Sequence, residues 1–339
     1  MVNRTRHAFF LTCVISAAMG LLFLLIASNR SEPLSVSRIG VVVSNEGRTE
    51  KIAGLKEGLE KLGLSEGKRV EYATVRLQPE QDHPQNREAV EALLRAHPDV
   101  VVTAGAKETA AVQTAVARMA IPSPPIVFIG VALPSALSSS AAGTGQVTGV
   151  DNAQISLIGK RLELTARLLP HAKNVLVIAD DQTPLFQKGI AEAETAAEKL
   201  GIRADILMIS SAADVERKLE QLPAGRYDAL LPLPSLILED AITDALPLLT
   251  EKRLFVMGAY PEQVKKGLFA AYGVSFFEQG EQASLLVANL LDGVPASKLP
   301  IQWPNHVRLS LHTASIAKLS IALSDRQLSL AHELYGGNE

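Results

Sequence analysis

Of the 339 residues, 47% are apolar and 20% charged, a balance that excludes a disordered chain. A net charge of −3 with only 4% aromatic residues supplies neither the basic surface nor the stacking platforms of a nucleic-acid binder. The single cysteine, Cys13, excludes an internal disulfide or a cysteine-built metal site, which suits the cytosol and the bacterial periplasm alike.

The chain opens with Arg4, Arg6 and His7, then an uncharged run from Ala8 to Ser28. About 20 apolar residues cross a hydrocarbon core, and secretory h-regions are shorter, about 7–15 residues. Leu25 is a poor match for the small residue a cleavage site needs before Ala27, and Cys13 lies inside the run, so no lipoprotein box forms. Residues 1–29 therefore predict an uncleaved signal anchor, one transmembrane helix, with a cleaved signal peptide as the second reading. The arginines before it favour a cytoplasmic N-terminus. The expected location is the bacterial inner membrane, held by residues 8–28, with the bulk of the chain periplasmic. Residues 30–37 read as a tether.

Arg38–Ser44 (RIGVVVS) predicts a strand, and Glu50–Leu62 a helix with Ile52, Leu55, Leu59 and Leu62 on one face, ended by Gly63. Arg69–Val75 predicts a strand, and Asn86–Ala96 a helix closed by Pro98. Val100, Val101 and Val102 form an unbroken β-branched run, the mark of a strand buried on both faces. A small-residue turn, Thr103–Ala106, leads to a helix over Lys107–Met119. Pro122, Pro124 and Pro125 stop it before a strand at Ile126–Ile129. This is a βαβ unit, for which a right-handed crossover is expected. Ser135–Gly145 reads as a loop and Gln146–Asp151 as a short strand.

The second run repeats the rhythm. Helices are expected at Gln154–Leu169, Pro184–Leu200, Ala213–Leu222 and Leu236–Leu249. They alternate with strands at Asn174–Ala179, Ala204–Ile209, Ala229–Leu231 and Leu254–Met257. Two such runs predict an α/β protein of two doubly wound, Rossmann-like lobes, 38–150 and 151–268. The tail differs. Leu268–Ser275 is extended, and Glu278–Leu291 is a helix. Leu299–Trp303 and Val307–Leu311 alternate like strands, and Thr313–Leu319 and Asp325–Leu334 read as helices. Residues 270–298 are expected to return to the first lobe, and 299–335 to the second or to a hinge.

No catalytic constellation is assembled. None of the seven histidines forms an HxxxH pair, and there is no Walker sequence, no GxGxxG after a strand and no GxSxG elbow. Asp180 and Asp181 follow a strand, where paired carboxylates serve a metal or acid–base site or cap the next helix. The reading is a binding protein without cofactor or metal, not an enzyme.

Several motifs carry a resemblance. They are Gly54-Leu55-Lys56-Glu57-Gly58-Leu59, Leu62–Lys68, Pro122–Phe128 and Val147-Thr148-Gly149-Val150 in the first half. In the tail they are Gly267–Gly273, Gly280, Ala283, Leu290–Gly293 and Leu299-Pro300. Together they resemble the ABC-transporter substrate-binding proteins of the tryptophan/tyrosine-transport type, from about Arg38 to about Leu330. The resemblance implies a type I periplasmic binding fold with a hinge and an inter-lobe cleft, no cofactor and no reaction. It also implies a small solute, in known cases an aromatic amino acid, delivered to a membrane permease. The chain departs from the family pattern at Gly105-Ala106, where Gly-Thr is common, at Leu133-Pro134, where Asp-Pro is, and at Ser310, where Asn is.

Parallel sheets bind ligands beyond the carboxyl ends of their strands, near helix N-termini. The candidates are therefore Ser44, Asn45, Glu46, Thr103 and Lys107 in the first lobe and Asp181, Thr183, Ser235 and Tyr260 in the second. Tyr272 lies on the proposed crossing strand. Capping and turn bonding explain the hydroxyl residues equally well one by one. A ligand carboxylate favours helix N-termini and Lys107; a ligand amine favours Glu46 or Asp181. The expected function is solute capture for an ABC import system with a permease partner. The alternative is a membrane-anchored sensory module partnering a signalling protein.

Overall fold

The computed structural model describes residues 36–78, 83–132, 146–183 and 186–337. The expected anchor, nearly all of the tether and the Ser135–Gly145 loop lie outside the described residues. Among the described residues no helix is long and apolar enough to cross a membrane.

The first run forms β1 (Ser37–Val43), α1 (Thr49–Lys61), β2 (Val70–Arg76), α2 (Pro84–Arg95), β3 (Val100–Thr103), α3 (Ala106–Met119), β4 (Ile126–Val131) and β5 (Val147–Asp151). Its five strands make one parallel sheet in the order β2-β1-β3-β4-β5. The two-residue period of a strand explains the layers. Val41, Val43, Val100, Val102, Val127 and Ile129 pack with Ile52, Leu55 and Leu59 of α1. Val42, Val101 and Ile126 pack with Val90, Leu93 and Leu94 of α2 and Val112 of α3. The valine runs are buried on both faces because helices cover both.

The second run gives α4 (Ile158–Leu168), β6 (Asn174–Asp180), α5 (Phe186–Leu200), β7 (Arg203–Ile209), α6 (Ala212–Glu220), β8 (Ala229–Pro232), α7 (Leu236–Asp244), α8 (Leu246–Glu251), β9 (Phe255–Gly258), α9 (Pro261–Lys265) and β10 (Ala270–Gly273). The helix expected at Leu236–Leu249 is broken at Ala245. Pro247 has no N–H to offer the carbonyl four residues back, so α8 starts afresh with proline in its first turn. The tail adds α10 (Phe276–Leu291), a 3-10 turn at Ala296–Lys298, β11 (Arg308–His312), α11 (Thr313–Lys318), α12 (Asp325–Leu328) and β12 (Glu333–Tyr335). The second sheet has seven strands, ordered β12-β11-β10-β9-β8-β6-β7, and only the β10–β11 pair is antiparallel.

Three features of the tail differ from the sequence reading. Residues 270–273 lie in the second sheet, Ala270 and Ala271 against β9 and all four against β11, and the return to the first lobe starts after them with α10. Leu299–Trp303 is not a strand. Pro300 and Pro304 cannot donate to a ladder, and Gln302 makes a single bridge to Val150. The helix expected over Asp325–Leu334 stops after one turn, because the chain is drawn into parallel pairing with β11.

Helix α10 closes the first lobe by lying against α1 at glycine-to-backbone distance. A Cβ on Gly54 would stand 1.9 Å from the Phe277 carbonyl oxygen, and one on Gly280 1.8 Å from that of Lys51. The two lobes are joined by three passages: after β5, between β10 and α10, and from the 3-10 turn to β11. In the first, Ala153 takes a left-handed φ of 56°, and its N–H donates to Asp151 Oδ1 at 2.7 Å. In the third, Gln302 exchanges backbone bonds with Gly149 and Asp151 at 2.9 Å each.

Candidate functional site: a charged seam between the lobes

The turn after β1 sets up the seam. The Asn45 side chain accepts from the Arg48 N–H at 3.0 Å, which ties the turn to the start of α1. Asn45 Nδ2 then reaches the other lobe, donating to Asp240 Oδ2 at 3.0 Å. Arg48 also crosses. Its Nε and Nη2 donate to the two Glu239 oxygens at 3.1 and 2.8 Å, and its Nη1 to Glu108 Oε2 at 2.9 Å. Glu108 and Glu239 stand in the first turns of α3 and α7, where the helix dipole favours a carboxylate. The guanidinium lies directly over Gly105, where a Cβ would come within 2.0 Å of Nη1.

Burial works against charge on Arg48 and Glu108, and pairing offsets it. Arg48 keeps its proton more firmly than an ordinary arginine because Glu239 and Glu108 outweigh its desolvation. Burial would raise the Glu108 carboxyl, but the adjacent Arg48 charge holds it below the usual range. Such a pair is strong only while both partners remain.

Behind it sits Lys51, fully buried. Its Nζ donates to the Ala104 and Ile129 carbonyls at 2.9 and 3.0 Å, at the carboxyl ends of β3 and β4, and lies 5.0 Å from the Phe276 ring. Burial, with the nearby Arg48 charge, pushes this ammonium down to about 7. Phe276 packs on Tyr260 with ring centroids 4.3 Å apart. Glu262 Oε1 accepts from the Ser275 hydroxyl at 2.7 Å and the Phe276 N–H at 2.8 Å, capping α10. A cavity of about 20 Å³ opens between the lobes, lined in part by Asn45, Glu50, Glu239, Asp240, Glu262 and Phe276.

The seam thus lies where both sheets present strand ends to each other. A family model described as ABC transporter substrate binding protein matches residues 37–335. The chain belongs to this family. Solved structures of similar fold include a conserved domain protein from Vibrio cholerae, with TM-score 0.78 and 21% identity over 88% of this chain and 100% of that one. Another is the ABC domain from Streptococcus pneumonia in complex with L-Trp, with TM-score 0.78 and 16% identity over 88% and 100%. A third, an ABC transporter solute binding protein from Bacillus halodurans with bound myo-inositol, has TM-score 0.57 and 14% identity over 86% and 98%. At such identities the likeness shows the shared two-lobed fold alone. No curated sequence matches the chain.

In this substrate-binding protein the residues proposed from the sequence fall into four groups. Ser44, Asn45 and Tyr260 lie at the seam, Tyr260 with its hydroxyl 3.4 Å from Glu239 Oε1. Ser235 supports it: as the N-cap of α7 it accepts from the Ile237 and Leu238 N–H groups and donates to Asp180 Oδ2 at 2.6 Å. Tyr272 is half-buried on β10, with its carbonyl accepting from Arg161 Nε at 2.8 Å.

The other five are engaged elsewhere. Glu46 is exposed on the β1 turn, and Asp181 is exposed beside Gln182. Thr183 donates to Asp180 Oδ2 at 3.0 Å, and Thr103 shares a 2.7 Å bond with Thr109 beneath the β3 turn. Lys107 reaches the Gln78 carbonyl on the α2 side of the lobe. Asp180 spends its oxygens on Gln182, Thr183 and Ser235, so the adjacent carboxylates serve the loop. Among the described residues no cluster of three His, Cys, Asp or Glu is placed to hold a metal.

The sequence reading did not single out Arg48, Lys51, Glu108, Arg161, Glu239, Asp240 or Glu262. For two of them a signal was present. Lys51 shares the apolar stripe of α1 with Ile52, Leu55 and Leu59, and Arg161 shares that of α4 with Ile158, Leu162 and Leu168. A charge on the buried face of a helix marks a polar network inside.

Proposed function

We propose that this protein captures a small solute between its two lobes and delivers it to the permease of an ABC import system. Binding and release by lobe movement are the whole mechanism, with no reaction and no cofactor. One observation supports this above others: the inter-lobe contact is chiefly charged, led by the Arg48–Glu239 pair, and its apolar part is confined to the small Tyr260–Phe276 cluster, not a broad apolar interface that would fuse the lobes. A polar seam parts at lower cost in water than an apolar one, which suits alternating open and closed forms. L-Trp and myo-inositol, bound by two structures of similar fold, illustrate the size of solute in view. The uncharged run at residues 8–28 supports attachment to the inner membrane, with the lobes in the periplasm.

The test is thermal unfolding of the full-length protein in detergent against amino acids, amines, polyols, sugars, nucleosides and small acids. A cognate solute raises the melting temperature in a concentration-dependent way. A flat response across every class would remove the support for solute capture.

A further inference from the structure

The small cavity at the seam holds more acceptors than donors. Glu262 is only 5% exposed, and while Oε1 caps α10, Oε2 has no hydrogen-bond partner among the described residues. The Thr243 hydroxyl oxygen, also buried and lining the same cavity, has none either. Glu50, Glu239 and Asp240 add three carboxylates to the wall. Lys266, exposed at the rim, is the one cation among the described residues that line it.

We propose that this cavity is a subsite for the ammonium group of a primary amine, with Glu262 Oε2 as its anchor and the Thr243 hydroxyl and Asp240 as further acceptors. The proposal rests on the solute-capture reading and names the ligand class. A buried carboxylate oxygen without a donor loses its hydration and gains nothing in return. An ammonium brings three donors and the compensating charge. The room open to the centre of a water-sized group, about 20 Å³, is enough to admit that head group. The Tyr260–Phe276 pair gives the same cavity an aromatic border, a surroundings that attracts cations. Burial already holds the Glu262 and Asp240 carboxyls above the usual range. An anion would meet four carboxylates here. The nearest guanidinium, Arg48, is spent on Glu108 and Glu239.

The experiment is calorimetric titration of the full-length protein in detergent with tryptamine and 1,4-diaminobutane. Their alcohol isosteres, tryptophol and 1,4-butanediol, and the carboxylate indole-3-propionate are the controls. The expected result is that at least one amine binds roughly tenfold or more tightly than its alcohol, the scale of one charge-assisted hydrogen bond. Glu262→Gln, which keeps an oxygen for Ser275 and Phe276, is expected to erase that preference. Thr243→Val tests the same site without touching the helix cap and is expected to weaken the amine several-fold. Equal binding of amine and alcohol, or an amine preference that survives both substitutions, overturns the subsite. If other solute classes bind and amines do not, the subsite falls while solute capture stands; if nothing binds, both fall.

Discussion

Arg48 and Glu239 come from different lobes, 191 residues apart, and meet in a two-point pair with N–O distances of 3.1 and 2.8 Å. Glu108 holds the third nitrogen from the Arg48 side of the seam. Removing the cation leaves two buried carboxylates without their charge partner. Arg48→Met is expected to cost about 3–5 kcal/mol, the usual scale for breaking a buried pair from one side. Urea unfolding measures it, and the double variant Arg48→Met/Glu239→Gln should recover part of the loss. A cost indistinguishable from that of an exposed ion pair would mean the lobes are held by something else.

Lys51 gives a pH dependence with a definite sign. In the unfolded chain its ammonium titrates near the ordinary 10.5, and in the folded chain burial brings it down to about 7. Between those values the unfolded chain binds a proton that the folded chain has released. Stability therefore rises with pH across that window, by up to about 1.4 kcal/mol per unit from this group. Below about 7 both states are protonated and the contribution is flat. The difference in unfolding free energy between wild type and Lys51→Met should grow from pH 7 to 9. Parallel curves would show that the ammonium is not held as the geometry implies.

The unequal legibility of fold and site has a physical origin. Val41–Val43 and Val100–Val102 announce strands because a β-branched run has little use except between two covering layers, so the core of the first sheet could be read from local pattern. Asp325–Leu334 could not. Its capping box at Ser324 and Gln327 starts a helix, and only the distant edge of β11 decides that the chain leaves it. The site shows the same division. Ser44, Asn45 and Tyr260 lie where strand ends point, which the α/β topology makes legible. Arg48, at the N-cap of α1, and Glu239, in the first turn of α7, carry no local mark of a site, because nothing near either one in the sequence tells it that the other will face it.

The glycines of the family signature have a steric account that can be tested. Gly280→Ala places a methyl 1.8 Å from the Lys51 carbonyl oxygen and 2.8 Å from the Leu55 nitrogen, backbone atoms that cannot rotate away. Helices α1 and α10 must separate, at an expected cost of about 1–3 kcal/mol or more. Leu285→Ala, on the exposed side of the same helix, is the control and should cost far less. Chemical denaturation of the two variants side by side decides it. Equal losses would mean that the close approach of the two helices is not what Gly280 secures.

Arg161 joins the first two passages between the lobes. It is fully buried, with no carboxylate partner among the described residues. Its Nε donates to the Tyr272 carbonyl at 2.8 Å, its Nη1 to the Gln154 carbonyl at 3.2 Å and its Nη2 to Gln154 Oε1 at 2.6 Å. Gln154 in turn donates to the Ala259 carbonyl at 3.3 Å. Burial pushes the guanidinium down to about 10, which still leaves it charged at neutral pH. Arg161→Met strands two carbonyls and the Gln154 side-chain oxygen at once, and each buried acceptor left without a donor costs about 1–3 kcal/mol. The loss should be local. Amide exchange is expected to quicken around residues 151–157 and 272–276, where the passages lie, while the strands of both sheets stay protected. An exchange increase spread evenly over the second lobe would instead mark Arg161 as a general core residue, with no particular hold on the hinge.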